Sequence, residues 1–201
     1  MEIAELVVPD AYRVVPAKLS DERGCFYEAF RREEFAAASG HPFAVAQVNY
    51  SISRRNTIRG IHGVRTPPGQ AKYVTCLRGA VLDMIVDLRV DSPTLGSYAV
   101  NRLDSESGVA LYIAEGLGHA FQALTDDTCM SYLCSTPYVP GTPFEVNPLD
   151  PDLALPWLPL GEPILSAKDR RAPTLAEAAK AGILAGYQDC LDLYSLMRCG
   201  G

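Results

Sequence analysis

The sequence predicts an all-β fold, a sandwich or barrel with short peripheral helices. Three observations predict it. From residue 58 to 135, short β-rich runs alternate with turn signals at regular spacing. The chain shows no strand–helix alternation of the α/β kind, and neither a G-x-G-x-x-G nor a phosphate-loop motif. Eight of its 15 prolines fall between residues 136 and 163, a segment that cannot donate a continuous ladder and is expected to wrap the core.

Taken in order, Glu5 to Val8 reads as a short strand, and Asp21-Glu22-Arg23-Gly24 as a turn before Cys25-Phe26-Tyr27-Glu28. Residues 31–38 are good helix formers and Gly40 can close that helix. A strand region begins at Val45–Asn49 and is broken by Arg54-Arg55-Asn56. Further strands are expected at 72–77, 81–88, 98–103, 109–113, 119–124 and 128–134. Thr174-Leu175-Ala176-Glu177 has the form of a capping box, opening a helix to about Ala185. The last fifteen residues read as loosely held. With no internal repeat and no linker, residues 1–201 are expected to form one domain, with a helical tail over 174–201.

Composition narrows the function. Hydrophobic residues make up 48% and charged residues 21%, an ordinary globular balance. A net charge of -6 argues against broad nucleic-acid binding but leaves room for a locally positive pocket. The acidic start, Met1-Glu2-Ile3-Ala4-Glu5, lacks the order of a secretory signal, and no apolar run reaches membrane-spanning length, so a cytoplasmic protein is expected. The six cysteines form no C-x-x-C pair and read as reduced core thiols.

Several side chains can carry chemistry, though each alone also fits a core or surface role. His62 stands between Gly60 and Gly63, and an imidazole exchanges protons near neutral pH. His119 follows Gly118 at a strand entry, whereas His41 reads as a surface residue. Lys72, in an apolar strand, needs an anion or a developing oxyanion if it points inward. Asp83 and Asp87 share one strand face and can orient histidines or arginines. Tyr132 offers a phenolic proton, and Asp169 a carboxylate able to fix an imidazole tautomer. Arg23, Arg59 and Arg170 are candidates for phosphate contacts.

These segments, in this order, resemble the dTDP-4-dehydrorhamnose 3,5-epimerase family over about residues 5–176. The strongest is Arg59-Gly60-Ile61-His62, followed by Pro68-Gly69-Gln70-Ala71-Lys72, Ser92-Pro93-Thr94-Leu95-Gly96, Gly116-Leu117-Gly118-His119-Ala120-Phe121 and Leu165-Ser166-Ala167-Lys168-Asp169. The resemblance implies a double-stranded β-helix, the cupin-like jelly roll. It implies an epimerase of a dTDP-4-keto-6-deoxyhexose such as dTDP-4-keto-6-deoxyglucose, working as a homodimer with no cofactor and no metal. By the same resemblance His62 is the base, Asp169 its partner, Tyr132 the acid on the opposite sugar face and Lys72 the residue that stabilises the enolate. His119 is a further site histidine, with Asp83 behind it. Arg59 falls near the keto group and phosphates. Arg23, Phe26, Glu28, Gln47, Asn49 and Tyr138 fall at nucleotide- or sugar-binding positions.

Departures from the family pattern bear on specificity. Gly63 stands where the family commonly has an aromatic, implying an enlarged or reshaped pocket. Residues 147–153 resemble the branch serving deoxysugars of secondary metabolism, such as macrolide or glycopeptide sugars. Inversion of C3 is therefore expected, with inversion of both C3 and C5 or a 3,4-ketoisomerase as alternatives. A metal-dependent cupin oxygenase is disfavoured because His62 and His119 lack a His-x-His core. A non-catalytic sugar-nucleotide binding module is the non-enzyme alternative.

Overall fold

The computed structural model describes residues 1–199. Its strands, in chain order, are β1 (Glu2–Glu5), β2 (Ala11–Val15), β3 (Lys18–Asp21), β4 (Gly24–Tyr27), β5 (Gln47–Ser53), β6 (Ile58–Val64), β7 (Lys72–Arg78), β8 (Ala80–Asp87), β9 (Tyr98–Asp104), β10 (Ala110–Ile113), β11 (Leu117–Ala123), β12 (Thr128–Cys134) and β13 (Pro143–Glu145). The helices are α1 (Arg32–Ser39), α2 (Ala167–Arg170), α3 (Leu175–Lys180) and α4 (Tyr187–Cys199). A six-stranded sheet runs β1-β2-β10-β7-β12-β5 and a five-stranded sheet runs β13-β6-β11-β8-β9, while β3 and β4 form a separate hairpin. The two larger sheets make the cupin-like jelly roll, and the short helices lie outside it.

Alternation along β8 shows how the layers divide. Val81 and Ile85 face inward and pack with Val74 and Met130 of the other sheet. Met84 and Val86 face outward and pack with Ile61, Ala120, Phe144 and Val146. Both faces of β8 are therefore covered, which is why its sequence is a nearly continuous apolar run. The proline-rich segment provides the outer cover: Leu153 and Leu155 join that cluster. Gln122 of β11 anchors the segment at both ends of one residue, donating to Leu158 O at 3.0 Å and accepting from Leu158 N at 2.8 Å.

Four local expectations are corrected. The first strand is Glu2–Glu5, because residues 6–10 turn sharply: Leu6 N donates to Ala11 O, and Asp10 has φ 69°. The Thr174 capping box is present, but its helix stops at Lys180, before Gly182 at φ 64°. The tail is not loose: α4 buries Cys190 and Tyr194, and the Tyr194 hydroxyl donates to Glu115 O at 2.5 Å. Cys25 is exposed on the hairpin rather than in the core, whereas Cys76, Cys134 and Cys190 are buried. The expectations for the Cys199 side chain and for residues 200–201 lie outside what the structure describes. Among the described residues no helix is long and apolar enough to cross a membrane.

Candidate active site

A cleft of about 460 Å³ opens between the two larger sheets. The five-stranded sheet contributes Arg59 and His62 from β6 and His119 from β11. The six-stranded sheet contributes Asn49 and Ser51 from β5, Lys72 from β7, and Tyr132 and Cys134 from β12. Strand period places these sets: residues 49 and 51 share a face, as do 132 and 134. His62 and His119 are direct register partners on neighbouring strands. Gly60, at φ 125°, lets β6 pass so close to β11 that a Cβ would collide with Ala120, and the register shifts there.

Both cleft histidines are held by carboxylates. His62 Nε2 donates to Asp169 Oδ1 at 2.8 Å. Asp169 itself is fixed by the short α2, since its backbone N–H donates to the Ser166 hydroxyl at 3.0 Å. Burial pushes the Asp169 carboxyl up, but the hydrogen bond and charge of His62 outweigh it, so its pKa lies below the ordinary value. His119 Nε2 donates to the fully buried Asp83 at 2.7 Å.

The opposite wall carries Lys72, Tyr132 and Ser51. Burial pulls the Lys72 ammonium below the usual lysine pKa, and the neighbouring Cys134 opposes this. Burial pushes the Tyr132 phenol well above its ordinary value. The Tyr132 and Ser51 hydroxyls lie 2.9 Å apart. Arg59 ties the two sheets together, donating to Ser53 Oγ at 3.0 Å and to Ile52 O at 3.2 Å. At the rim, Gln47 donates to Asn49 Oδ1 at 2.9 Å and accepts from Tyr138 N at 2.8 Å.

The cleft thus gathers His62, Asp169, Lys72, Tyr132, His119, Arg59, Asn49 and Tyr138, with Asp83 behind His119 and Gln47 behind the rim. Arg23, Phe26 and Glu28 are not brought to the cleft of their own chain. Arg23 and Phe26 sit on the exposed hairpin, with Arg23 paired to Asp21, and Glu28 is exposed beside Arg31. Arg170 is exposed and outside the cleft lining. Gly63 does not enlarge the pocket as expected, because the buried Phe144 ring occupies the space that a Cβ there would need. His41 is buried rather than superficial, and its Nε2 donates to Asp10 at 3.2 Å.

Sequence reasoning missed several lining residues. Ser51 follows Gln47 and Asn49 at period two, which alone places it on their face. Glu145 pairs with Lys168 at the mouth, and nothing local in either segment announces that contact. Ser166 begins an S-x-x-D run, a readable helix-start signal. Among the described residues no three His, Cys, Asp or Glu side chains converge as a metal-ligand set.

Comparison with known proteins identifies the family. The sequence profile of the family described as dTDP-4-dehydrorhamnose 3,5-epimerase matches residues 5–177. A Streptomyces protein named dTDP-4-dehydro-6-deoxyglucose 3-epimerase is 50% identical over 183 residues, covering 91% of this chain and 93% of its own. A Mycolicibacterium smegmatis protein named dTDP-4-dehydrorhamnose 3,5-epimerase is 44% identical over 198 residues, 98% of each chain. The crystal structure of ChmJ, a 3'-monoepimerase from Streptomyces bikiniensis in complex with dTDP-quinovose, superposes with a TM-score of 0.93 at 47% identity, covering 96% of this chain and 98% of that one.

Proposed function

The chain belongs to the dTDP-4-dehydrorhamnose 3,5-epimerase family and is a sugar-nucleotide epimerase; from that premise we propose that it inverts C3 of a dTDP-4-keto-6-deoxyhexose in deoxysugar biosynthesis. One observation carries the reading. A carboxylate-held imidazole, His62, stands on one sheet, while a half-buried ammonium and a half-buried phenol, Lys72 and Tyr132, stand on the other.

That arrangement suits proton transfer on two faces of one sugar ring. A hydrogen next to a ketone is acidic because its loss gives an enolate. With Nε2–H committed to Asp169, His62 presents Nδ1 as the base. Lys72 supplies positive charge to the enolate oxygen in a site where burial strengthens the interaction. Tyr132 returns a proton from the opposite face and the carbonyl re-forms with inverted configuration. No electrons are gained or lost, so the step calls for no nicotinamide or flavin. Arg59, Asn49, Gln47 and Tyr138 lie along the cleft and rim as binding groups, and His119, oriented by Asp83, adds a polar contact at its floor.

A homodimer completes the reading. Strand β5 is a sheet edge, and its outer face exposes Val48, Tyr50 and Ile52. The β3–β4 hairpin exposes Leu19 and Phe26. Pairing two copies through these surfaces offers Arg23, Phe26 and Glu28 a partner's cleft. A chain that sediments only as monomer at assay concentration sinks this part.

The deciding experiment incubates the protein with dTDP-4-keto-6-deoxyglucose in deuterated water and follows the sugar by NMR. The expected result is deuterium at C3 with inverted configuration there. Deuterium and inversion at both C3 and C5 would establish the 3,5-epimerase instead, and migration of the carbonyl the ketoisomerase. No label anywhere would end the epimerase reading.

A further inference from the structure

Ser51 has no part in the roles assigned so far. Its Oγ lies 2.9 Å from Tyr132 Oη, and among the described residues neither hydroxyl has another side-chain or backbone partner. Register explains the contact. Asn49 is the direct partner of Tyr132 across β5 and β12, and Ser51, two residues on, shares its face as the diagonal neighbour. The hydroxyl therefore reaches Tyr132 from a rigid strand.

We infer that Ser51 is the positioning residue of the acid step, donating its hydrogen to the phenol oxygen so that the phenol's own hydrogen points at the sugar. The inference rests on the epimerase reading and on Tyr132 as the acid. In the transfer the Tyr132 O–H bond breaks and its proton forms a C–H bond at the enolate carbon. The enolate electron pair returns to re-form the carbonyl, and a phenolate is left. Solvent water later restores the phenol. A half-buried phenolate is costly without a donor, and a hydrogen bond to an ionised oxygen is about twice as strong as one between neutral groups. Ser51 thus contributes most where charge develops, which is the requirement for lowering a barrier. Consistent with this, burial drives the Tyr132 pKa upward, while the Ser51 hydrogen bond and the Arg59 charge act in the opposite sense. The reverse arrangement, with Tyr132 donating to Ser51, would tie up the proton that must reach carbon.

The two faces of the sugar can be read separately. His62 is 43% exposed, so a proton it removes exchanges with solvent. Returning deuterium from His62 labels the substrate with retained configuration, whereas delivery from Tyr132 gives the inverted product. In deuterated water, Ser51→Ala is expected to slow inversion about tenfold while exchange with retention stays within about twofold of wild type, so the exchange-to-inversion ratio rises about tenfold. Ser51→Thr, which keeps the hydroxyl, is expected to restore the ratio. A purely structural role for Ser51 would lower both rates together and leave the ratio unchanged. A wild-type protein that exchanges and inverts, beside a Ser51→Ala protein with the wild-type ratio, overturns this inference alone. A wild-type protein that does neither overturns the epimerase reading and this inference with it.

Discussion

Two of the three histidine–aspartate pairs among the described residues have the same chemistry and opposite surroundings. His62 meets Asp169 at 2.8 Å in the cleft, and His41 meets Asp10 at 3.2 Å in the core. Both carboxyls lie below their ordinary pKa. Burial raises each, but His62 outweighs it at Asp169, and His41 with Arg89 outweighs it at Asp10. Access separates them. The His62 side chain is 43% exposed and the His41 side chain 1%. Around His41 stand Tyr12, Tyr112 and Tyr194, and the other oxygen of Asp10 is held by Arg89 at 2.6 Å. A carboxylate therefore holds a ring in place at both positions, and only the ring in the cleft is accessible enough for the base role proposed for His62. Pairing alone does not mark an active site.

The sharpest way to break this comparison is to remove each ring. His62→Ala is expected to lower kcat about a thousandfold with little change in stability, because its ring is half in solvent. His41→Ala is expected to do the converse. It leaves a cavity and an underpaired Asp10, at a cost of roughly 2–4 kcal/mol in urea unfolding, while kcat per folded molecule stays within about threefold of wild type. A folded His41→Ala protein without activity would show that the core pair takes part in catalysis.

Of similar size is the effect expected in the network behind His41. Arg89 is fully buried and donates to Asp87 through Nε and Nη2 and to Asp10 through Nη1. Arg89→Met is expected to cost about 3–5 kcal/mol near pH 7, because two carboxylates lose the charge that pairs them. The pH dependence has a definite sign. Asp10 and Asp87 both have depressed values in the folded state. Their stabilisation is fully present above the unfolded value near about 3.9 and is lost as pH falls through the folded values. The gap between wild type and Arg89→Met should therefore narrow in acid. A gap constant from pH 7 to acid would assign the loss to packing rather than to charge.

The same contrast explains how much could be read from sequence. Strand β12 was legible to the residue, because Thr128–Cys134 is a short β-prone run bounded by Asp126-Asp127 before it and Ser135-Thr136-Pro137 after it. The common face of Asp83 and Asp87 was legible from their spacing of four, but whether it turned to water or to histidines and arginines was not; they hold His119 and Arg89. The contact between His62 and Asp169 was not, because it closes over 107 residues and no local pattern records it. It was reached through resemblance, as were the roles of Lys72 and Tyr132. His41 was misread because a Gly-His-Pro run at a helix end looks superficial, whereas α4 returns from the far end of the chain to cover it. The packing of α4 was itself hidden, since its buried Cys190 and Tyr194 make a narrow stripe among polar residues. Ser51 needed only strict attention to strand period.

The smallest expected effect sharpens the electrostatics of the cleft. If Lys72 holds the enolate oxygen, activity requires its charged form. Burial lowers its pKa, with Cys134 acting against that shift, so the charge is lost at a pH below the ordinary lysine value of about 10.4. Tyr132 is displaced in the other direction, mainly by burial, and does not account for an early alkaline decline; the Cys134 thiol is also raised by burial but starts from a lower ordinary value, so the Lys72→Arg profile is what separates it from Lys72. The kcat profile of the wild-type protein should therefore fall on the alkaline side with a midpoint below about 10.4. Arginine keeps its charge throughout this range but places it on a broader, planar head. Lys72→Arg should lower kcat near pH 7.5 by about tenfold or less, and remove the alkaline decline. A decline that persists at the wild-type midpoint in Lys72→Arg would assign it to another group and take the oxyanion away from Lys72.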